Sequence, residues 1–97
     1  MRDYELMMVL SPEVEEEGIA EVVEKVKQYV SQHGGVVTHD EQWGRRKLAY
    51  PIRKYTEGQY VLTRLQLEPD GTKALESSLA RSDEIIRHLL IKLPDSK

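Results

Sequence analysis

The run Leu48-Ala49-Tyr50-Pro51-Ile52 limits the fold more than any other stretch of this chain. Leu48, Tyr50 and Ile52 fall on one side of an extended backbone, and Lys47, Ala49, Pro51 and Arg53 on the other. This is the two-residue repeat of a half-buried strand. Pro51 has no N–H to give to a ladder, so the strand belongs at the edge of a sheet. Gly44, just before the run, predicts a bulge or bend that swings Arg45 and Arg46 clear of the sheet. Leu48 and Tyr50 are expected in the core. Cations on such an arm also guard an exposed edge against aggregation, so their presence alone assigns no ligand.

The remaining periods supply partners for that edge. Tyr4, Leu6, Met8 and Leu10 alternate, which predicts a first strand over 4–10. Ile19, Val22, Val23, Val26 and Val30 then make one helical stripe, with Glu13, Glu15, Glu16 and Glu17 at its amino end. There the helix dipole favours anions, so the glutamates read as a solvated first turn and not as a metal site. Gly34-Gly35 ends the helix, Gly34 being the natural left-handed residue. A second strand starts at Val36 and continues into the basic arm, a hairpin loop covers 54–58, and a third strand covers 59–68. Pro69-Asp70-Gly71 breaks that strand. A short helix follows, with Asp70 or Thr72 as N-cap and Leu75 and Leu79 inward. The fourth strand is expected over 85–93, with a polar tail over 94–97. The order strand, helix, strand, strand, helix, strand predicts an α+β, ferredoxin-like βαββαβ fold: a four-stranded antiparallel sheet of order 4-1-3-2 with both helices on one face. The 97 residues are expected to form a single domain spanning 1–97.

With the helices on one side, the other side of the sheet is expected to have no cover from this chain. Met7, Val9, Tyr60, Leu62 and Leu89 would gather there into an apolar patch, and Glu5 would pair with Arg64 beyond it. An apolar patch with a charged rim marks a partner surface.

Charge is divided sharply. Residues 1–42 carry 3 basic and 10 acidic side chains, net -7; residues 43–64 carry 6 basic and 1 acidic, net +5; residues 65–97 are net -1. Such a chain meets a polyanion with one edge and repels it with the rest. Catalytic groups do not converge. His33, His39 and His88 fall on separate elements with no metal-ligand spacing, and Ser77 and Ser78 have no nearby base. No enzyme activity, metal, cofactor or small-molecule substrate is expected. The third strand has one ring, Tyr60, where base-stacking sheets carry several, so phosphate contacts from Arg45, Arg46, Lys47, Arg53 and Lys54 fit better than base stacking. The chain lacks cysteine, a signal-peptide pattern and an apolar run of membrane-spanning length, which fits a cytoplasmic protein with no membrane partner.

The segment Gly44-Arg45-Arg46-Lys47-Leu48-Ala49-Tyr50-Pro51-Ile52-Arg53-Lys54 closely resembles the hallmark of the bacterial small-subunit ribosomal protein six family. Met1-Arg2-Asp3-Tyr4-Glu5, Leu10-Ser11-Pro12, Gly58-Gln59-Tyr60 and Ile86-Arg87-His88-Leu89-Leu90-Ile91-Lys92 are similar to other parts of that family, so the likeness spans essentially the whole chain. The long acidic tail of some members is absent. The resemblance implies a structural component of the small ribosomal subunit that binds the central domain of 16S rRNA as a heterodimer with small-subunit ribosomal protein eighteen. Carried over by position, it implies RNA contacts at Arg2, Arg45, Arg46, Lys47, Arg53, Lys54 and Arg87. It implies partner contacts at Met7, Val9, Tyr60, Leu62 and Leu89. The alternative is a small ferredoxin-like regulatory or dimerisation domain that binds a metabolite.

Overall fold

Leu6, Met8 and Leu10 are fully buried, and their alternate spacing makes them one face of β1 (Arg2–Leu10). A computed structural model describes residues 1–94 of the chain; of the polar tail expected over 94–97, all but Pro94 lies outside the described residues. After β1 come α1 (Glu16–Gln32), β2 (Val36–Ile52), β3 (Tyr55–Leu67), a 3-10 turn at Pro69–Gly71, α2 (Thr72–Ala80) and β4 (Ile85–Lys92). The strands form one antiparallel sheet in the order β2-β3-β1-β4, which is 4-1-3-2 read from the other edge. This is the expected α+β ferredoxin-like fold, with the strand of Pro51 on the outside.

The predicted stripe on α1 is the buried one. Ile19, Val22, Val23, Val26 and Val30 pack in one cluster with Tyr4 and the inward residues of β1, with Val61, Leu65 and Leu67 of β3, with Leu75 and Leu79 of α2 and with Ile85 of β4. Both helices therefore cover the same face. Each fully buried side chain of this kind is worth roughly 1.5–3 kcal/mol of transfer free energy. α1 stops where Gly34 takes a φ of 80°. The Gly34 amide then reaches the Ser31 carbonyl at 3.1 Å and the Gly35 amide the Val30 carbonyl at 2.8 Å, a Schellman closure. The Tyr29 hydroxyl donates to the Gly71 carbonyl at 3.0 Å and joins the helices where α2 begins.

Three local expectations need correction. Neither Asp70 nor Thr72 caps α2. Gly71 holds the N-cap position, and the Thr72 hydroxyl donates to the Pro69 carbonyl at 2.8 Å. The 3-10 turn has already brought the backbone into the helical region, so no extended capping residue intervenes. β3 begins at Tyr55, not Gln59, because Ile52 pairs with Tyr55 around the two-residue turn Arg53-Lys54. β4 ends at Lys92, although the Leu93 amide still donates to the Asp3 carbonyl at 2.8 Å. The β1–β4 register shifts between Val9 and Leu10, so Ile85 and Ile86 are both buried while Leu89 stays level with Met7 on the far face.

Candidate nucleic-acid and protein interface

The site is built by the second half of β2. At Gly44 the backbone enters the left-handed region (φ 83°), and the ladder to β3 shifts between Gln42 and Gly44. This is the predicted bulge. A larger break follows: Lys47 pairs with Glu57 and Ile52 with Tyr55, so Leu48 to Pro51 oppose the single residue Thr56. The surplus residues leave the ladder, and Leu48, Ala49 and Tyr50 line a cleft on the helix-free face. The Tyr50 hydroxyl meets the guanidinium of Arg87, which donates to it at 2.7 Å and lies 6.0 Å from the ring centroid. Tyr50 belongs to one outer strand and Arg87 to the other, so these two side chains bridge the edges of the sheet.

This overturns two expectations. The far face has cover from this chain, and Leu48 and Tyr50 are not core residues. Tyr50 is 51 % exposed, and Leu48 is half-buried against the far face. Alternation along a strand assigns faces only while the register is kept, and the break after Lys47 resets it. Beneath the arm lies a cleft of about 190 Å³ lined from all four strands, with Met7, Val9, Leu48, Ile52, Tyr60 and Leu89 as its apolar walls. Gly58 is needed for the packing of β3 on β1, since a Cβ there would strike Val9, whereas it would meet the Leu48 side chain only in ordinary contact at 3.6 Å.

The expected partner residues do come together. Met7 faces Leu62 and Leu89 across the ladders, Val9 faces Tyr60, and none of the five belongs to the helix-side core. Their accessibility differs. Leu89 is 51 % exposed and Met7 and Tyr60 are half-buried, whereas Val9 and Leu62 retain only 5 % of their surface. Glu5 pairs with Arg64 at 3.3 Å, as expected.

The candidate RNA residues divide. Arg46, Lys47, Arg53 and Lys54 lie exposed along the arm and its turn, and Arg87 is brought to them by Tyr50. Lys47 and Arg53 have no ion pair among the described residues. Arg53 holds a φ of 57° in the turn, and Lys54 sits 5.7 Å from the Tyr55 ring centroid. Arg45 turns to the helix side of β2, where it donates to the Pro12 carbonyl at 3.0 Å and lies 3.8 Å from Glu57. Arg2, opposite Leu67, is at the far end of β1 and apart from the arm.

Trp43 is a neighbour that periodicity did not single out. It is 42 % exposed, and its indole N–H donates to Glu41 at 2.8 Å. Arg46 lies 5.6 Å from its ring centroid, and His39 reaches the other Glu41 oxygen at 2.8 Å. The His39 and Trp43 hydrogen bonds hold the Glu41 carboxyl below its ordinary range. The one available signal was the lone tryptophan beside the bulge glycine.

Among the described residues no His, Cys, Asp and Glu group has the arrangement to hold a metal ion, and no helix is long and apolar enough to cross a membrane. A cleft of about 330 Å³ between α1 and α2 is walled mainly by core side chains such as Val22, Val26, Leu75 and Leu79.

Comparison with known proteins agrees with the fold. Residues 3–92 match the family described as ribosomal protein S6. The chain is 42 % identical over 95 residues to small ribosomal subunit protein bS6 of Moorella thermoacetica, covering 98 % of this chain and 97 % of that one. It is 45 % identical over 93 residues to bS6 of Clostridium acetobutylicum, covering 96 % and 98 %. Its structure is similar to the crystal structure of 30S ribosomal protein S6 from Thermotoga maritima, with a TM-score of 0.87 at 32 % identity over 95 % of this chain and 87 % of that one. An Arabidopsis thaliana protein at 12 % identity and a TM-score of 0.59 shares the fold alone. With nine-tenths of its length matched and a solved relative of the same topology, this chain is a member of the ribosomal protein S6 family of the small ribosomal subunit.

Proposed function

We propose that this small-subunit protein binds the central domain of 16S rRNA as a heterodimer with small-subunit ribosomal protein eighteen, in the cytoplasm and without catalysis of its own. The β2 arm supplies the RNA contacts. Arg46, Lys47, Arg53 and Lys54, with Arg45 at its base and Arg87 and Arg2 beyond it, meet phosphates, and the shape of the RNA decides where they land. The far face of the sheet, from Met7 and Tyr60 to Leu89 with Val9 and Leu62 beneath, receives the protein partner. One observation carries this reading: five of the eleven exposed Lys and Arg side chains among the described residues, Arg45, Arg46, Lys47, Arg53 and Lys54, lie on a single arm beside an apolar cleft, while residues 1–42 are net -7.

The same charge division makes the isolated chain a poor RNA binder, because the acidic part repels the polyanion that the arm attracts. A partner on the far face adds cationic surface next to the arm. A calorimetric titration with a central-domain rRNA fragment checks this. Affinity should rise at least tenfold when the partner is present, a coupling of about 1.4 kcal/mol or more. Equal affinity with and without the partner contradicts cooperative assembly.

A further inference from the structure

The arm lies on the surface that the partner needs. Leu48, Tyr50 and Ile52 line the same cleft as Met7, Val9 and Tyr60. The segment 48–52 has few ties to the rest of the sheet. Leu48 to Pro51 have no register partner on β3, Pro51 has no N–H, and the segment sits on the outer edge. Its long-range polar tie is the bond of 2.7 Å from Arg87 to the Tyr50 hydroxyl, backed by the guanidinium near the ring.

We propose that Leu48–Ile52 is a strap over the partner face, latched shut by Tyr50 and Arg87 and displaced when the face is used. Closed, it shields Val9 and half-buries Tyr60 and Met7, which limits apolar exposure on the free protein. Open, it presents those side chains and releases the Arg87 guanidinium from Tyr50. One motion then uncovers the apolar face and frees a cation, so protein docking and phosphate binding favour the same state. Arg53 suits this device, since its positive φ sets the hairpin turn at the strap's end.

The inference rests on the reading that the far face takes the protein partner, but the strap is testable on the free chain. The protein has no cysteine, so Val9→Cys places a single thiol of similar size beneath the strap, and its labelling by a disulfide reagent reports opening. Tyr50→Phe keeps the ring and removes the hydroxyl. If the latch is a typical hydrogen bond, labelling becomes about fivefold faster with no matching fall in the thermal midpoint. Arg87→Lys in the same background keeps the charge and removes the forked donor, and should act in the same direction. Apparent affinity for the proposed partner should also rise by about fivefold in Tyr50→Phe, because more of the free chain is competent to bind. Labelling unchanged in both variants overturns the latch. Faster labelling with unchanged partner affinity supports the latch and overturns instead the assignment of this face to the partner.

Discussion

At the scale of single residues, Trp43 is the most useful reporter, being the one tryptophan in the chain and placed where the arm leaves the sheet. Its indole donates to Glu41, whose carboxyl is also held by His39. Glu41 has a depressed pKa in the fold, so its contacts are complete above the ordinary glutamate value of 4.5 and are lost as pH falls through a lower value. Trp43 fluorescence should therefore show a transition below pH 4.5, and Glu41→Gln should abolish it. A transition at or above that value, or one that survives in Glu41→Gln, contradicts the assignment. Arg53 offers a second test. At φ 57° it occupies backbone space that glycine fills without strain. Arg53→Gly should raise stability by about 0.5–1 kcal/mol in urea unfolding while weakening RNA binding through the lost cation. Loss of both would mean that the Arg53 side chain holds the turn.

The elements differ in how plainly they were written in the sequence. α1 was fully legible, because Ile19, Val22, Val23, Val26 and Val30 share a stripe that only a helix can bury together. The edge position of β2 was legible from Pro51 alone, and the bend from Gly44. The hairpin turn was not, since Arg53-Lys54 carries no glycine or asparagine to announce a positive φ and Gly58 drew the loop toward itself. Nor was the strap. Leu48, Tyr50 and Ile52 alternate as a strand should, but four residues opposite one cannot stay in a ladder, and that count becomes visible only once the register is known. The apolar set Met7, Val9, Tyr60, Leu62 and Leu89 was assembled correctly because β1 and β3 pair without interruption. What covers that set depended on the break in β2.

At the scale of the whole molecule, the fold separates two tasks. The helix side closes the core and carries the glutamates of α1, Glu16, Glu17, Glu21 and Glu24. The arm end carries the densest group of cations and the cleft. If this division is what directs the protein on RNA, the ionic contribution to binding comes from one place and not from net charge. The most direct test measures the salt dependence of affinity for central-domain rRNA, with the partner present, in two multiple variants. One replaces Arg46, Lys47, Arg53 and Lys54 by alanine; the other replaces the helix-side cations Lys25, Lys73 and Arg81. The slope of log affinity against log salt should fall by roughly one for each arm cation removed and stay unchanged in the helix-side variant. An unchanged slope in the arm variant, or an equal loss per cation in both, contradicts the account.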